Sequence, residues 1–401
     1  MSFKKETQCY AIIGGGGYVG WNIAQSLVSS DPRCLVVAVD INFSQHQDCT
    51  ISGQIKFIKI DVRNAGELEK CLIFWKPDTV FHVASYGMSG KEMLNKRLIE
   101  EVNVGGIKNV LAAIVKANVG SLVYTSTYNT VFGGQEIING DEATQPFLPL
   151  HLHPDHYALT KSVSEQLVLM ADRKLCRDGQ TILRTCCLRL AGIYGPGEER
   201  HLPRIVDYLE RGWIKFLYGE AIVDFVHIDN VVQAHTKAAE ALKTDTEFVA
   251  IFQGGNSYFI SDGQPISNFQ FFRPLIEGLG YSFPSVRLPL GIIFAFARIS
   301  ECVSGFWFFT QHRLDQYLPL LTRTEVFKTG VTHFFSIERA RKDLGYEPRT
   351  PPNDLTETVN KFLLAGRQKK RFSTHASLIH FFVIFILGLI VILFFNFVLV
   401  Q

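Results

Sequence analysis

Two side chains carry the chemistry most plainly: Tyr157 and Lys161, four residues apart in Tyr157-Ala-Leu-Thr-Lys161. On a helix, positions i and i+4 lie one above the other on the same face, so a phenol and an ammonium there address one ligand together. The ammonium stabilises the phenolate and draws the phenol down from its usual pKa of about 10, which suits a general acid or base near neutral pH. The spacing alone is common, and an ordinary amphipathic helix face would show it too. A hydroxyl stands ready in Thr127, at the end of the run Tyr124-Thr-Ser-Thr127. It would polarise a substrate oxygen while Tyr157 moves the proton; the plainer alternative is a threonine that ends a strand.

Such a pair needs a cofactor and a scaffold to hold it. Residues 9–13 are an unbroken apolar run, as in a strand buried on both faces. Gly14-Gly-Gly-Gly17-Tyr18-Val19-Gly20 follows, ahead of a helical segment at 21–28. Glycines at 14, 17 and 20 give a tight turn, close approach to a pyrophosphate and packing of helix on strand, with phosphates at the helix amino terminus. A flexible loop is the alternative, and Tyr18 and Val19 join the three glycines as cofactor-binding candidates. The next strand, 35–39, ends in Asp40, about 20 residues beyond the turn, where a carboxylate bonds the adenosine ribose and repels a 2′-phosphate. That favours NAD over NADP.

A third strand, 55–60, leads to the cofactor candidates Asp61 and Val62; Asp61 would meet the adenine edge or cap the helix at 64–74. The strand 78–84 brings Ala84 to the middle of the cofactor, and a helix at 101–113 carries Asn103 ahead of the strand 121–125. Alternation at this spacing means right-handed crossovers and a parallel sheet, with ligands at the carboxyl ends of the strands. The fold class is therefore α/β, a Rossmann-type doubly wound parallel sheet. Its domain spans 9–200 after a short tail at 1–8; the strand 182–190 closes on the turn-rich Ala191-Gly-Ile-Tyr-Gly-Pro-Gly197, and the chain returns at about 224–260. Residues 201–223 and 261–365 lack regular alternation and form a smaller substrate lobe.

Composition narrows the partners. Forty basic against 38 acidic side chains leave a formal charge of +2, which sets up no field for nucleic acid. Eight cysteines (Cys9, Cys34, Cys49, Cys71, Cys176, Cys186, Cys187, Cys302) show no metal-ligand spacing and read as buried thiols, so no metal is expected. The start of the chain shows no signal-peptide core, which predicts a reducing, cytosol-facing compartment. Residues 378–400 run without a formal charge, long enough to span a bilayer, behind a basic linker at 366–377 that includes Arg367-Gln-Lys-Lys-Arg371. The positive-inside rule then keeps the upstream chain on the cytosolic side of a single-pass membrane helix. Residues 288–309 are also apolar, but Arg298 and Glu301 make them a helix packed in the lobe or dipping into the membrane surface rather than a second span.

With these residues placed, the chain resembles an extended short-chain dehydrogenase/reductase over most of residues 8–365. The resemblance rests on the glycine turn, Asp40, Asp61, Asn103, Thr127 and Tyr157-x-x-x-Lys161. The strings YTSTYNTVFGG, HLHPDHYALTKS, AGIYGPGEERHLPRIV, DFVHIDN and YFISDG are similar to the 3β-hydroxysteroid dehydrogenase branch, and within it to family 42E. The resemblance implies that Tyr157 is the acid/base, that Lys161 holds the nicotinamide ribose, and that Asn103 fixes a proton-relay water and a helix kink. Two positions depart from the family: Ile13, commonly threonine, and Ala191, commonly proline, whose absence would loosen the turn into the lobe. The implied activity is NAD-dependent interconversion of a secondary alcohol and a ketone on a steroid, sterol or similar lipid, at the endoplasmic reticulum membrane; a homodimer also fits. Two alternatives stay open. One is a nucleotide-sugar epimerase or dehydratase, with Arg200 and Arg204 meeting a diphosphate; the other is a catalytically quiet NAD-binding membrane scaffold or sensor.

Overall fold

Unbroken apolar runs set the architecture, because a strand covered by helices on both faces has no polar side to alternate with. A computed structural model describes residues 7–43, 53–88, 90–243, 255–311 and 322–369. The chain divides into two compact units: Met1–Tyr194 with Asp224–Pro265 and His333–Pro352, and Gly195–Val223 with Ile266–Thr332 and Asn353–Gln401.

Elements are numbered along the chain. The first unit holds β1 (Cys9–Ile13), β2 (Leu35–Asp40), β3 (Ile55–Lys59), β4 (Thr79–His82), β5 (Ser121–Thr127), β6 (Ile137–Gly140), β7 (Arg184–Leu190) and β8 (Gly192–Tyr194). After an excursion into the second unit it adds β11 (Phe225–His227), β12 (Asn256–Ile260) and β15 (His333–Phe335). Its helices are α1 (Tyr18–Ser30), α2 (Ala65–Trp75), α3 (Lys96–Glu100), α4 (Gly106–Ala117), α5 (His156–Met170), α7 (Ile228–Lys243) and α12 (Glu338–Leu344). Seven strands form one sheet in the order β3-β2-β1-β4-β5-β7-β12, parallel at every pairing.

The chain winds outward from β1 to β3 and then crosses back to β4 on the other side of β1. The carboxyl ends of β1 and β4 therefore flank a topological switch point, the ligand crevice of such sheets. Period-two alternation splits the core between the two faces. Ile12, Val36, Ala38, Phe81, Val123 and Leu188 pack on one side with α1, α7 and α12. Ala11, Ile13, Val37, Val39, Val80 and Leu122 pack on the other with α2 and α4. Each fully buried Ile, Leu, Val or Phe contributes about 1.5–3 kcal/mol.

The second unit holds β9 (Phe216–Tyr218), β10 (Ile222–Val223), β13 (Ile266–Ser267) and β14 (Val286–Leu288). Its helices are α6 (Leu202–Glu210), α8 (Asn268–Phe271), α9 (Arg273–Gly278), α10 (Leu290–Gln311), α11 (Arg323–Gly330) and α13 (Thr356–Leu364). β9 pairs with β14 in parallel and β10 with β13 antiparallel. Ile293 and Ala297 of α10 pack on Val326 of α11, beside Phe216, Tyr218 and Leu288. Within α10, Arg298 is exposed, and Glu301 accepts from the Arg323 guanidinium at 2.6 Å. Among the described residues no helix is long and apolar enough to cross a membrane. The span expected at 378–400 lies outside the described residues.

Several boundaries differ from the sequence reading. The helix expected at 101–113 is preceded by α3 and by a π-helical turn, Glu101–Gly105. Residues 261–265 and 333–352, expected in the lobe, fold with the first unit. There β15 pairs with β6 in parallel and the Phe335 amide donates to Asp224 at 2.7 Å, so a non-local strand pairing decides their place. Ala191 does not loosen its turn: its N–H donates to the Ile260 carbonyl at 3.1 Å, a bond proline has no hydrogen to make.

Candidate active site

The glycine turn sits at the switch point. Gly14 has φ +94°, and a Cβ there would come 2.5 Å from the Ala84 nitrogen, so turn and β4 exit meet backbone to backbone. Both the Gly14 and Gly15 amides donate to the Val39 carbonyl, at 2.8 and 3.1 Å. Gly20 lies against the same turn; a Cβ on it would fall 2.1 Å from the Gly14 oxygen. Gly17, by contrast, is exposed and stands at the N-cap of α1 with room beside it. Tyr18 and Val19 open that helix and pack on the core, half-buried. Asp40 closes the arrangement. Its carboxylate accepts from the Gly16 amide at 2.9 Å and from the Ile41 amide at 2.7 Å, holding it at the lip of the turn.

Asp61 and Val62 take a different place. The Asp61 carboxylate is gripped by the Arg63 guanidinium at 2.6–3.0 Å, a hydrogen bond that holds its carboxyl below the usual range. It does not cap α2: Asn64 does, accepting from the Glu67 amide at 3.2 Å. Val62 is buried against Gly106, and its carbonyl accepts from the Asn109 side chain at 3.0 Å.

Across the crevice, α5 begins at Asp155, whose side chain caps the Ala158 amide at 2.6 Å, and thereby presents Tyr157 and Lys161 on one buried face. Lys161 is 2% exposed. Its ammonium donates to the Thr125 carbonyl at 2.6 Å and lies 4.1 Å from the centre of the Tyr124 ring. Burial pulls its pKa down to about 7, against the opposing pull chiefly of Glu165. Thr125 is itself held: its hydroxyl meets Nε2 of His235 at 2.8 Å, while Nδ1 of His235 meets the Val231 carbonyl at 2.7 Å. A carbonyl only accepts, so Nδ1 carries the proton and Nε2 accepts from Thr125. Burial takes His235 down to about 4 and keeps it neutral.

Thr127, at the end of β5, accepts from the backbone and side-chain nitrogens of Asn129 at 3.3 and 3.0 Å. With its lone pairs so used, the hydroxyl's own proton is left for another acceptor. Asn103 sits in the π turn, where the Gly106 amide reaches back to the Glu101 carbonyl. Both ends of its amide are engaged: Oδ1 accepts from the Tyr86 amide at 2.9 Å, and Nδ2 donates to the Tyr86 carbonyl and to the Thr160 hydroxyl, each at 3.0 Å. Its carbonyl accepts from the Ser164 hydroxyl at 3.1 Å. The helix in which a kink was expected contains a π turn here, and the Asn103 side chain ties the loop after β4 to α5.

Sequence reasoning did not single out Glu165, His235 or Arg189. Glu165 had a signal, since it extends Tyr157 and Lys161 by one more turn on the same helix face. In the second unit, Arg204 pairs with Glu325 at 3.2 Å, and the Glu198 carboxylate accepts from the backbone amides of Arg200, His201 and Leu202 at 2.7–3.0 Å.

A phenol and an ammonium on one buried helix face, a hydroxyl with a free proton and a glycine turn fitted for a dinucleotide can together move a proton to or from a substrate oxygen. The chain is similar to known proteins. The sequence pattern of the 3-beta hydroxysteroid dehydrogenase/isomerase family matches residues 11–290. A zebrafish (Danio rerio) protein, short-chain dehydrogenase/reductase family 42E member 1, is 50% identical over 373 residues, 92% of each chain. The Arabidopsis thaliana 3beta-hydroxysteroid-dehydrogenase/decarboxylase isoform 1 is 31% identical over 384 residues, 91% of this chain and 82% of that one. Among solved structures, the dTDP-glucose 4,6-dehydratase DesIV from Streptomyces venezuelae, with NAD and TYD bound, superposes with a TM-score of 0.66 over 90% of this chain and 99% of that one. At 21% identity this last likeness speaks for the fold alone.

Proposed function

Because the chain belongs to the 3-beta hydroxysteroid dehydrogenase/isomerase family, within short-chain dehydrogenase/reductase family 42E, we propose that it is an NAD-dependent oxidoreductase interconverting a secondary alcohol and a ketone on a steroid, sterol or similar lipid. The observation that carries this reading is Lys161, buried on the Tyr157 face of α5 at the carboxyl ends of the sheet. The residues present suit a dinucleotide. Gly14 and Gly20 leave no room for side chains, Gly17 opens the amino terminus of α1, and Asp40, at the lip of the turn, would accept from the hydroxyls of a ribose. NAD, when bound, supplies the nicotinamide that accepts or returns the hydride.

The protein's share is binding, orientation and proton transfer. Lys161 has hydrogens beyond the one given to Thr125, which would hold the nicotinamide ribose once NAD is bound, while its charge favours the phenolate form of Tyr157. In oxidation Tyr157 takes the alcohol proton; in reduction it gives that proton back. Thr127 donates to the same oxygen. A steroid-like substrate is supported by the plant relative's name and by the apolar run at 378–400, which we assign to a cytosol-facing membrane anchor, in the endoplasmic reticulum. The nucleotide-sugar alternative asks Arg200 and Arg204 to meet a diphosphate. Arg204 is already paired with Glu325, and Glu198 already occupies the amides an anion would use.

Detergent-solubilised protein supplied with NAD and a panel of 3β-hydroxysteroids and sterols tests the reading by NADH absorbance. Tyr157→Phe should lower turnover by about 10²–10⁴-fold while leaving NADH binding nearly intact. Turnover that survives in Tyr157→Phe would sink the mechanism. For the anchor, alkaline carbonate extraction should leave the full chain in the membrane pellet and release a chain truncated after residue 377; equal release of both would remove the anchor.

A further inference from the structure

A buried charge stands directly behind the Tyr157–Lys161 pair. Glu165 lies one helical turn beyond Lys161 on α5 and is 0% exposed. An ionised carboxylate in such a place is costly unless its oxygens are matched by donors. Three strands supply them. Oε1 accepts from the Arg189 guanidinium of β7 at 2.8 Å and from the Ser257 hydroxyl of β12 at 2.5 Å. Oε2 accepts from the Ser126 hydroxyl of β5 at 2.5 Å. Arg189 is buried too, its guanidinium lying 4.9 Å from the Phe147 ring and 5.2 Å from that of Phe259.

Ser126 joins this network to the reacting pair through the backbone. The residue before it, Thr125, receives the Lys161 ammonium, and the residue after it is Thr127. The carboxylate that clamps Ser126 therefore sets the part of β5 against which Lys161 and the substrate hydroxyl donor are placed. We propose that Glu165 is a positioning residue for Lys161, fixing the ammonium against β5 and supplying the negative charge that keeps it an ammonium while the site works. This rests on the assignment of Lys161 to the nicotinamide ribose.

The other groups around Lys161 do not do this. His82 on β4 is neutral, taken down to about 3 by burial and by Lys161 itself. Tyr124 on β5 and Cys187 on β7 are pushed well up by burial and stay protonated. Arg189, also on β7, is a cation whose guanidinium is spent on Glu165. Tyr157, on α5 itself, is the group that Lys161 serves rather than one that holds its charge. Among the described residues that bear on the lysine's charge, Glu165 is the largest opponent of burial.

The test is NADH affinity, read by fluorescence titration between about pH 6 and about pH 9, in the full-length wild type, Glu165→Gln and Lys161→Met. NADH binding needs no substrate, so the result stands whether or not the substrate class is right. Wild-type affinity should fall as pH rises through the Lys161 titration, and in Lys161→Met that dependence should vanish. In Glu165→Gln the fall should move to lower pH by about one unit, giving severalfold weaker binding near neutrality but near-normal binding in acid. Affinity lowered equally at every pH, with the midpoint unmoved, would mean that Glu165 only staples the fold, and would overturn the proposal. Should Glu165→Gln fail to fold with Arg189 left unpaired, Glu165→Gln combined with Arg189→Gln removes both charges together, and a smaller shift in the same direction is expected. A pH-independent wild type would instead remove Lys161 from the ribose, and with it the reading on which Glu165 depends.

Discussion

Replacing Asn103 by alanine separates two accounts of that residue. If its task were to position a water, the variant would lose turnover and keep its stability. The geometry demands more. Asn103 is 2% exposed and its amide makes three bonds, to the Tyr86 nitrogen, the Tyr86 oxygen and the Thr160 hydroxyl. The Thr160 hydroxyl keeps its bond to the Tyr157 carbonyl at 2.9 Å, so it loses only a donor directed at it. The Tyr86 groups lose both partners, in a half-buried loop where water replaces part of the bonding. At a net of about 1 kcal/mol for each Tyr86 bond and about half that for Thr160, the cost is roughly 2–3 kcal/mol. For a unit of this size that corresponds to a fall in Tm of roughly 4–12 °C. Because the bonds tie the loop after β4 to α5, kcat should drop with stability, since Tyr157 and Lys161 lose their fixed distance from the Ala84 side of the crevice. Differential scanning fluorimetry beside NADH-linked kinetics reads both quantities. An Asn103→Ala protein with unchanged Tm and lost turnover would refute the tie.

Asp40→Ala should weaken NAD binding and narrow the preference over NADP, read as the ratio of kcat/KM for the two cofactors; an unchanged ratio would remove Asp40 from the ribose site. Lys161 should leave a mark on stability as well as on binding. Its folded pKa of about 7 lies below the unfolded value of about 10.4. Between those values the unfolded chain holds more protons, so the contribution of this group to stability rises with pH from about 7 to about 10 and is lost on returning to neutral. At about 1.4 kcal/mol per unit the swing approaches about 4 kcal/mol, and it should be missing from Lys161→Met when Tm is followed over that range without cofactor. A variant tracking the wild type would show that Lys161 is not the buried cation responsible.

Local pattern made the first half of this fold legible. An unbroken apolar run, a glycine turn and a helix are adjacent in the chain, and Asp40 follows at the end of the next strand, so each neighbour vouches for the other. Tyr157 and Lys161 needed only the i, i+4 rule. What escaped depends on partners far apart in sequence. Glu165 is an ordinary helical glutamate until Ser126, Arg189 and Ser257 arrive from three strands. His235 is buried opposite Thr125 only because α7 packs behind β5. The strand His333–Phe335 looked like lobe sequence because its partner, Ile137–Gly140, is nearly two hundred residues upstream. The π turn left no composition signal, since Glu-Val-Asn-Val-Gly is acceptable helix in either geometry.

That turn imposes a counting rule on the chain. A π turn holds one residue more than the α-helical turn it replaces, and each residue of an α-helix advances the side chain by about 100°. Were the same five residues to wind as regular α-helix instead, everything before them would swing by about that angle relative to α4. Asn103 would then point away from Thr160, and α3 would face a different side. The stretch therefore tolerates exchange of residue type only while the π winding is kept, so that a substitution favouring regular α-helix here would cost more than its own lost contacts.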